Sequence, residues 1–174
     1  MPRRSAPRRR AAMIDLILGY SCNARCVFCT AGDDLRTVTM SSGEAEERLT
    51  AAIRAHRPRK VRFGGGEPTL RSDLGSLVGR ARAEGVPAVS VQTNGFRFSS
   101  APYTAQLARC GLGKVNLSVK AMSGDLYDRL TGTRGGLGLV EQAARNILGA
   151  GLALELDILL VTPILDEIET LTAC

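Results

Sequence analysis

No stretch of about 18 consecutive apolar residues occurs in the chain, so no transmembrane helix is expected. The basic start, Pro2 to Arg10, leads only into the short apolar stretch Leu16 to Leu18, too brief for the hydrophobic region of a secretion signal. A cytoplasmic location is the expectation that follows. Histidine occurs once. His56 falls at the end of a predicted helix beside Arg57 and Pro58, where a solvated imidazole suits the helix dipole, and no catalytic role is expected of it. A disulfide framework is also missing: the five cysteines are odd in number and three of them cluster, which fits a reducing compartment. The formal charge of +6 would ordinarily raise nucleic acid as a partner. Arg3, Arg4, Arg8, Arg9 and Arg10 supply most of it, and beyond them the charge roughly balances. Residues 1–12 therefore read as a basic disordered tail, and nucleic acid is not an expected partner.

What the chain does have is a regular alternation of strand-like and helix-like segments. Its 174 residues and 44% hydrophobic content suit one domain with a core of its own, over residues 13–174. Met13 to Leu18 reads as a strand, and Thr30 to Thr39 as a polar, irregular stretch. Ser41 or Ser42 then offers a cap for a helix whose apolar positions Ala45, Leu49, Ala52 and Ile53 repeat at helical spacing until Pro58 stops it. Lys60 to Phe63 is a second strand, then a helix capped by Ser72 or Asp73 runs through Leu74, Leu77, Val78 and Ala81 until Gly85 ends it, and Ala88 to Gln92 is a third strand. Tyr103 to Cys110, Lys114 to Val119, Gly136 to Ala150 and Ala153 to Val161 continue as helix, strand, helix and strand, and Asp166 opens a last helix. Cys110 is expected to serve packing. Such alternation predicts an α/β fold of about five βα units with a parallel sheet. The loops rich in polar and glycine residues all follow strands, at the sheet edge where α/β proteins bind ligands.

The first of these loops is Gly19-Tyr-Ser-Cys-Asn-Ala-Arg-Cys-Val-Phe-Cys29, which puts Cys22, Cys26 and Cys29 within eight residues. Thiolates so closely spaced can turn toward one soft metal centre. A closed structural zinc site requires four ligands, which Cys110, Cys174, His56 or an acid would have to complete, none of them at a zinc-knuckle spacing. Three thiolates on a four-iron cluster would instead leave one iron free to bind another molecule.

The second is Gly64-Gly-Gly-Glu-Pro68, stripped of side chains so that its backbone can approach a ligand, with one carboxylate held by a rigid proline. That carboxylate suits a ligand ammonium.

A strand, a C-x3-C-x2-C loop with Phe28 before the last cysteine, a helix, and a strand ending in Gly-Gly-Glu-Pro together resemble the radical S-adenosylmethionine (SAM) superfamily over about residues 13–174. The resemblance implies a partial TIM-type (β/α)6-like barrel, truncated at the C-terminus of this chain. It implies a [4Fe-4S] cluster on Cys22, Cys26 and Cys29, with SAM on the free iron and an electron donor such as flavodoxin or ferredoxin. The chemistry expected is reductive cleavage of SAM to a 5′-deoxyadenosyl radical that abstracts hydrogen from a small-molecule or peptide substrate. The contrasting reading is a non-catalytic iron-sulfur or zinc module, or an inactive truncated paralogue. By the same resemblance Phe28 would lie against the adenine, and Gly65, Gly66 and Glu67 would hold the methionine ammonium. Asn94, Ser118 and Lys120 would lie near the ribose and the methionine carboxylate, and Leu160 to Pro163 would wall the adenine. Within the superfamily, Ser118-Val-Lys-Ala-Met122 followed by Tyr127-Asp-Arg-Leu-Thr-Gly132 looks most like the glycyl-radical-enzyme activase group, with Gln92 and Ser118 standing where that group has two cation-binding aspartates.

Overall fold

A computed structural model describes residues 12–158. Five parallel strands form one sheet in the order of the sequence: β1 (Met13–Ile17), β2 (Lys60–Gly64), β3 (Ala88–Thr93), β4 (Lys114–Val119) and β5 (Ala153–Ile158). Neighbouring strands that follow one another in the chain yet run parallel require a crossover each time. The crossovers are α1 (Ser42–His56), α2 (Leu74–Ala83) and α3 (Ala101–Arg109), then the pair α4 (Gly124–Thr131) and α5 (Gly136–Gly149). Among the described residues β1 and β5 are the sheet's two edges, so the barrel is partial, as the resemblance implies.

Strand period two divides the sheet's faces. Leu16, Val61, Phe63, Val89, Val91, Val115 and Leu117 are buried in one cluster with Ala45, Leu49 and Ile53 of α1, Leu77, Val78 and Ala81 of α2, Leu107 of α3, and Val140, Ala143 and Ile147 of α5. The opposite face carries polar partners in register: Asp15 beside Arg62 beside Ser90, and Asn116 beside Glu155. This face is the lumen of the partial barrel, and the five strand ends open onto one rim above it.

Local signals account for most of the element boundaries. Ser41 caps α1, its hydroxyl accepting from the Glu44 amide at 3.2 Å. Arg57, at φ 44°, ends the helix in the left-handed conformation directly before Pro58. The exposed His56 occupies the last turn of α1, as expected. Cys110 packs on the core beside Gly75. Asp73 holds the N-cap position of α2 without capping it, because Arg71 takes its carboxylate with two bonds of 2.8 and 2.6 Å. Helix α4 lies between the strand expected to end at Val119 and the helix expected from Gly136, where residue spacing alone predicts no element. The basic tail up to residue 11, the expected end of the fifth strand, Leu160 to Pro163, the helix from Asp166, and Cys174 lie outside the described residues.

Candidate active site

At the C-terminal rim of the strands a cavity of about 410 Å³ opens toward the lumen. Cys22, Cys26, Cys29, Phe28, Gly65, Gly66, Asn94, Ser118 and Lys120 all line it. Strand β1 delivers the cysteine loop, β2 the glycine loop, β3 the Asn94 turn, and β4 Ser118 and Lys120. Tyr20 of the cysteine loop lines it too, and Ile17, Gln92 and the pair Asp15 and Arg62 from the strands complete the wall. Arg62 forks onto Asp15 with bonds of 2.7 and 2.8 Å.

The two loops that carry the motifs are built as one piece. The Gly66 amide donates to the Gly19 carbonyl and the Glu67 amide to the Ser21 carbonyl, both at 2.8 Å. A Cβ on Gly65, whose φ is 127°, would stand 2.2 Å from the Gly19 oxygen, and one on Gly66 would stand 2.3 Å from the Ser21 oxygen. Glycine is therefore required by the neighbouring cysteine loop, and not only by a ligand as the sequence alone implied. Both glycines still present backbone to the cavity.

Glu67 lies elsewhere. It is 3% exposed and lines a smaller neighbouring cavity with Leu18, Gly19 and Arg71. One carboxylate oxygen accepts from the Thr69 amide at 3.0 Å, the Thr69 hydroxyl at 2.5 Å and the Thr93 hydroxyl at 2.7 Å. The other accepts from the Asn94 amide at 2.7 Å. Burial pushes this carboxyl above its ordinary value, against the pull of those donors. The side chain thus clasps the β2 loop to the β3 turn, while the cavity sees the backbone of its two preceding glycines.

Asn94 is fixed by that clasp and by its own turn, its Oδ1 accepting from the Phe96 amide at 3.1 Å. Its Nδ2 reaches the Asn23 Oδ1 at 2.8 Å and the Cys22 sulfur at 3.9 Å. The turn after β3 therefore touches the cysteine loop directly. Lys120 places its Nζ 5.4 Å from the centroid of the Phe28 ring, a cation-π distance. Burial lowers the Lys120 pKa, with the sulfur of Cys26 acting in the opposite direction. Burial raises the pKa values of Cys22 and Cys26, and the charge of Lys120 counters it at Cys26.

Sequence reasoning missed Arg36. Its side chain lines the cavity, donates to the Ala24 carbonyl at 2.8 Å and pairs with Asp33 at 3.2 Å, bracing the cysteine loop from below. Its stretch is irregular, with a short 3-10 turn at Leu35–Thr37, so no periodicity marked it. Among the described residues no three donor side chains converge tightly enough for a single metal ion. The three cysteines nevertheless line one cavity on one loop, a donor set of the kind that holds iron-sulfur clusters.

Residues 16–171 match the model of the radical SAM superfamily. The chain is 34% identical over 131 residues to a probable GTP 3′,8-cyclase of Methanopyrus kandleri, covering 75% of this chain and 41% of that protein. It is 32% identical over 142 residues to the GTP 3′,8-cyclase of Rhodopseudomonas palustris, covering 78% and 40%. The chain therefore spans about two fifths of the length of these relatives. Among solved structures, SuiB of Streptococcus suis superimposes with a TM-score of 0.74 at 18% identity over 94% of this chain and 36% of its own. The protein anSMEcpe with bound AdoMet gives 0.66 at 19% identity over 84% and 42%. These likenesses establish the fold, and the relatives named here do not confirm the finer likeness to the activase group. With the family model spanning nearly the whole chain and the cysteine and glycine loops assembled at one rim, the chain belongs to the radical SAM superfamily.

Proposed function

We propose that this chain is the radical-generating core of an enzyme in which Cys22, Cys26 and Cys29 hold a [4Fe-4S] cluster and the neighbouring rim binds SAM. When bound, the pair supplies reductive cleavage of the sulfonium and a 5′-deoxyadenosyl radical able to take hydrogen from a substrate, the electron coming from a donor such as flavodoxin or ferredoxin. The observation that carries the reading is the joining of the two motif loops, with the Gly65 and Gly66 backbone facing the same cavity as all three cysteines. A merely structural metal site has no use for an open cavity of about 410 Å³ beside the thiolates.

Each remaining residue has a part in this reading. The Gly65 and Gly66 backbone, which lines the cavity, would hold the methionine ammonium. Lys120, already held by burial and by Phe28, offers a cation to the methionine carboxylate. Phe28 provides an apolar face for the adenine, and Ser118 and Asn94 provide polar contacts on the far wall. Asp15, Arg62 and Gln92 line the lumen beneath, where a polar substrate would enter. The names of the curated relatives make GTP the first substrate to test, ahead of a peptide.

Anaerobic reconstitution with iron and sulfide, then SAM and a strong reductant, tests the core claim. The expected product is 5′-deoxyadenosine, stimulated by GTP and lost in Cys26→Ala. Stoichiometric zinc with no cleavage of SAM would overturn it.

A further inference from the structure

The stretch Tyr127 to Gly132 has no part in the cofactor site described above, yet it meets the cysteine loop on the side away from the glycine loop. The Arg25 amide donates to the Thr131 carbonyl at 2.7 Å and the Val27 amide to the Leu130 carbonyl at 2.9 Å. Both acceptors belong to the last turn of α4, whose carbonyls have no helical partner and seek donors outside the helix. The two donors alternate with the cysteines, one on either side of Cys26.

This end of α4 is itself held rigid. Tyr127 is fully buried, and Gly132 ends the helix at φ 64°. The Asp128 carboxylate accepts from the Gly135 amide at 2.6 Å, the Gly136 amide at 3.0 Å and the Thr133 hydroxyl at 3.2 Å, which fixes the turn into α5. The Thr131 hydroxyl donates to the Tyr127 carbonyl at 2.7 Å.

We infer that the C-terminal turn of α4 is the socket that positions the cluster-binding loop, with Gly132 as its positioning residue. A Cβ on Gly132 would lie 3.1 Å from the Arg25 Cβ and 3.2 Å from the Arg25 oxygen, tighter than side chains ordinarily approach. The loop is thereby gripped from both sides: the glycine loop takes carbonyls at Gly19 and Ser21, and α4 takes amides at Arg25 and Val27. With these two amides turned outward to α4, they are withheld from the sulfurs. The inference rests on the proposed cluster site, and its consequence is mechanical: the socket sets how firmly the three thiolates are presented.

Gly135 provides a matched control. It has nearly the same backbone conformation, φ 69°, and a Cβ there meets nothing within 4 Å. Gly132→Ala and Gly135→Ala therefore impose similar left-handed strain, but only the first presses on the cysteine loop. Two readouts on the full chain test this. In the apo protein, hydrogen exchange at the Arg25 and Val27 amides should be protected, and should accelerate tenfold or more in Gly132→Ala but not in Gly135→Ala. After reconstitution, the cluster of Gly132→Ala should be lost to an iron chelator several-fold faster than that of Gly135→Ala. Equal behaviour of the two variants, or unprotected amides in the unaltered chain, would overturn the socket. A protein with protected amides that retains no iron would overturn the cluster reading on which it rests.

Discussion

Glu67 collects donors from two loops on its two oxygens, so its replacement tests a single contact with clear chemistry. In Glu67→Gln one oxygen still accepts from Thr69 and Thr93, but the new amide faces the Asn94 N–H, donor against donor. An unsatisfied buried donor costs about 1–3 kcal/mol, so the unfolding free energy should fall by that amount and the thermal midpoint with it. SAM affinity should fall with it, because the Asn94 turn shifts, while cluster absorbance stays. Retained stability together with unchanged affinity would contradict the clasp. The pH dependence has a definite sign. Burial raises the folded pKa of Glu67, so folding favours its protonated form. That contribution is full below the ordinary carboxylate value of about 4.3 and is lost as pH rises through the raised folded value. The Gln variant cannot titrate there, and its unfolding curve against pH should be flatter over that window.

At the scale of elements, the strongest local signals sit where backbone geometry and side-chain chemistry coincide. Ser41 caps α1 through the Glu44 amide, and Ser41→Ala should lower stability by about 1 kcal/mol in urea unfolding, with cluster content unchanged. A loss of iron in that variant would mean that α1 reaches the site in a way the contacts do not provide. The cap, the strands and the first two motif loops were legible because each follows from residue type and spacing over a few positions. Helix α4 was not. Only eight residues long, it begins at Gly124 and ends against Gly132, so its apolar positions Leu126, Tyr127 and Leu130 span little more than one turn. Its burial at Leu126, Tyr127 and Leu130 comes from α5 and the cysteine loop, which no local window contains. The same limit applies to Arg36 and to the inward clasp of Glu67, whose cross-loop partners Ala24, Thr93 and Asn94 lie 12 to 27 residues away.

Across the molecule, five parallel strands bring to one rim what the sequence scatters over about a hundred residues, from Cys22 to Lys120. The order of the loops around the rim follows the order of the strands, which is why the alternation of elements already brings the motif loops to one edge. What the sheet adds is connection: the cysteine loop is bonded to the glycine loop, touched by Asn94, braced by Arg36 and seated on α4. That frame presents three thiolates, on which the proposed four-iron cluster would keep one iron for SAM. The most direct test is the Mössbauer spectrum of the chain reconstituted with iron-57, taken with and without SAM. One of the cluster's four irons should change its isomer shift when SAM is added, and the other three should not. Four irons indifferent to SAM, or a spectrum of mononuclear iron, would contradict the account.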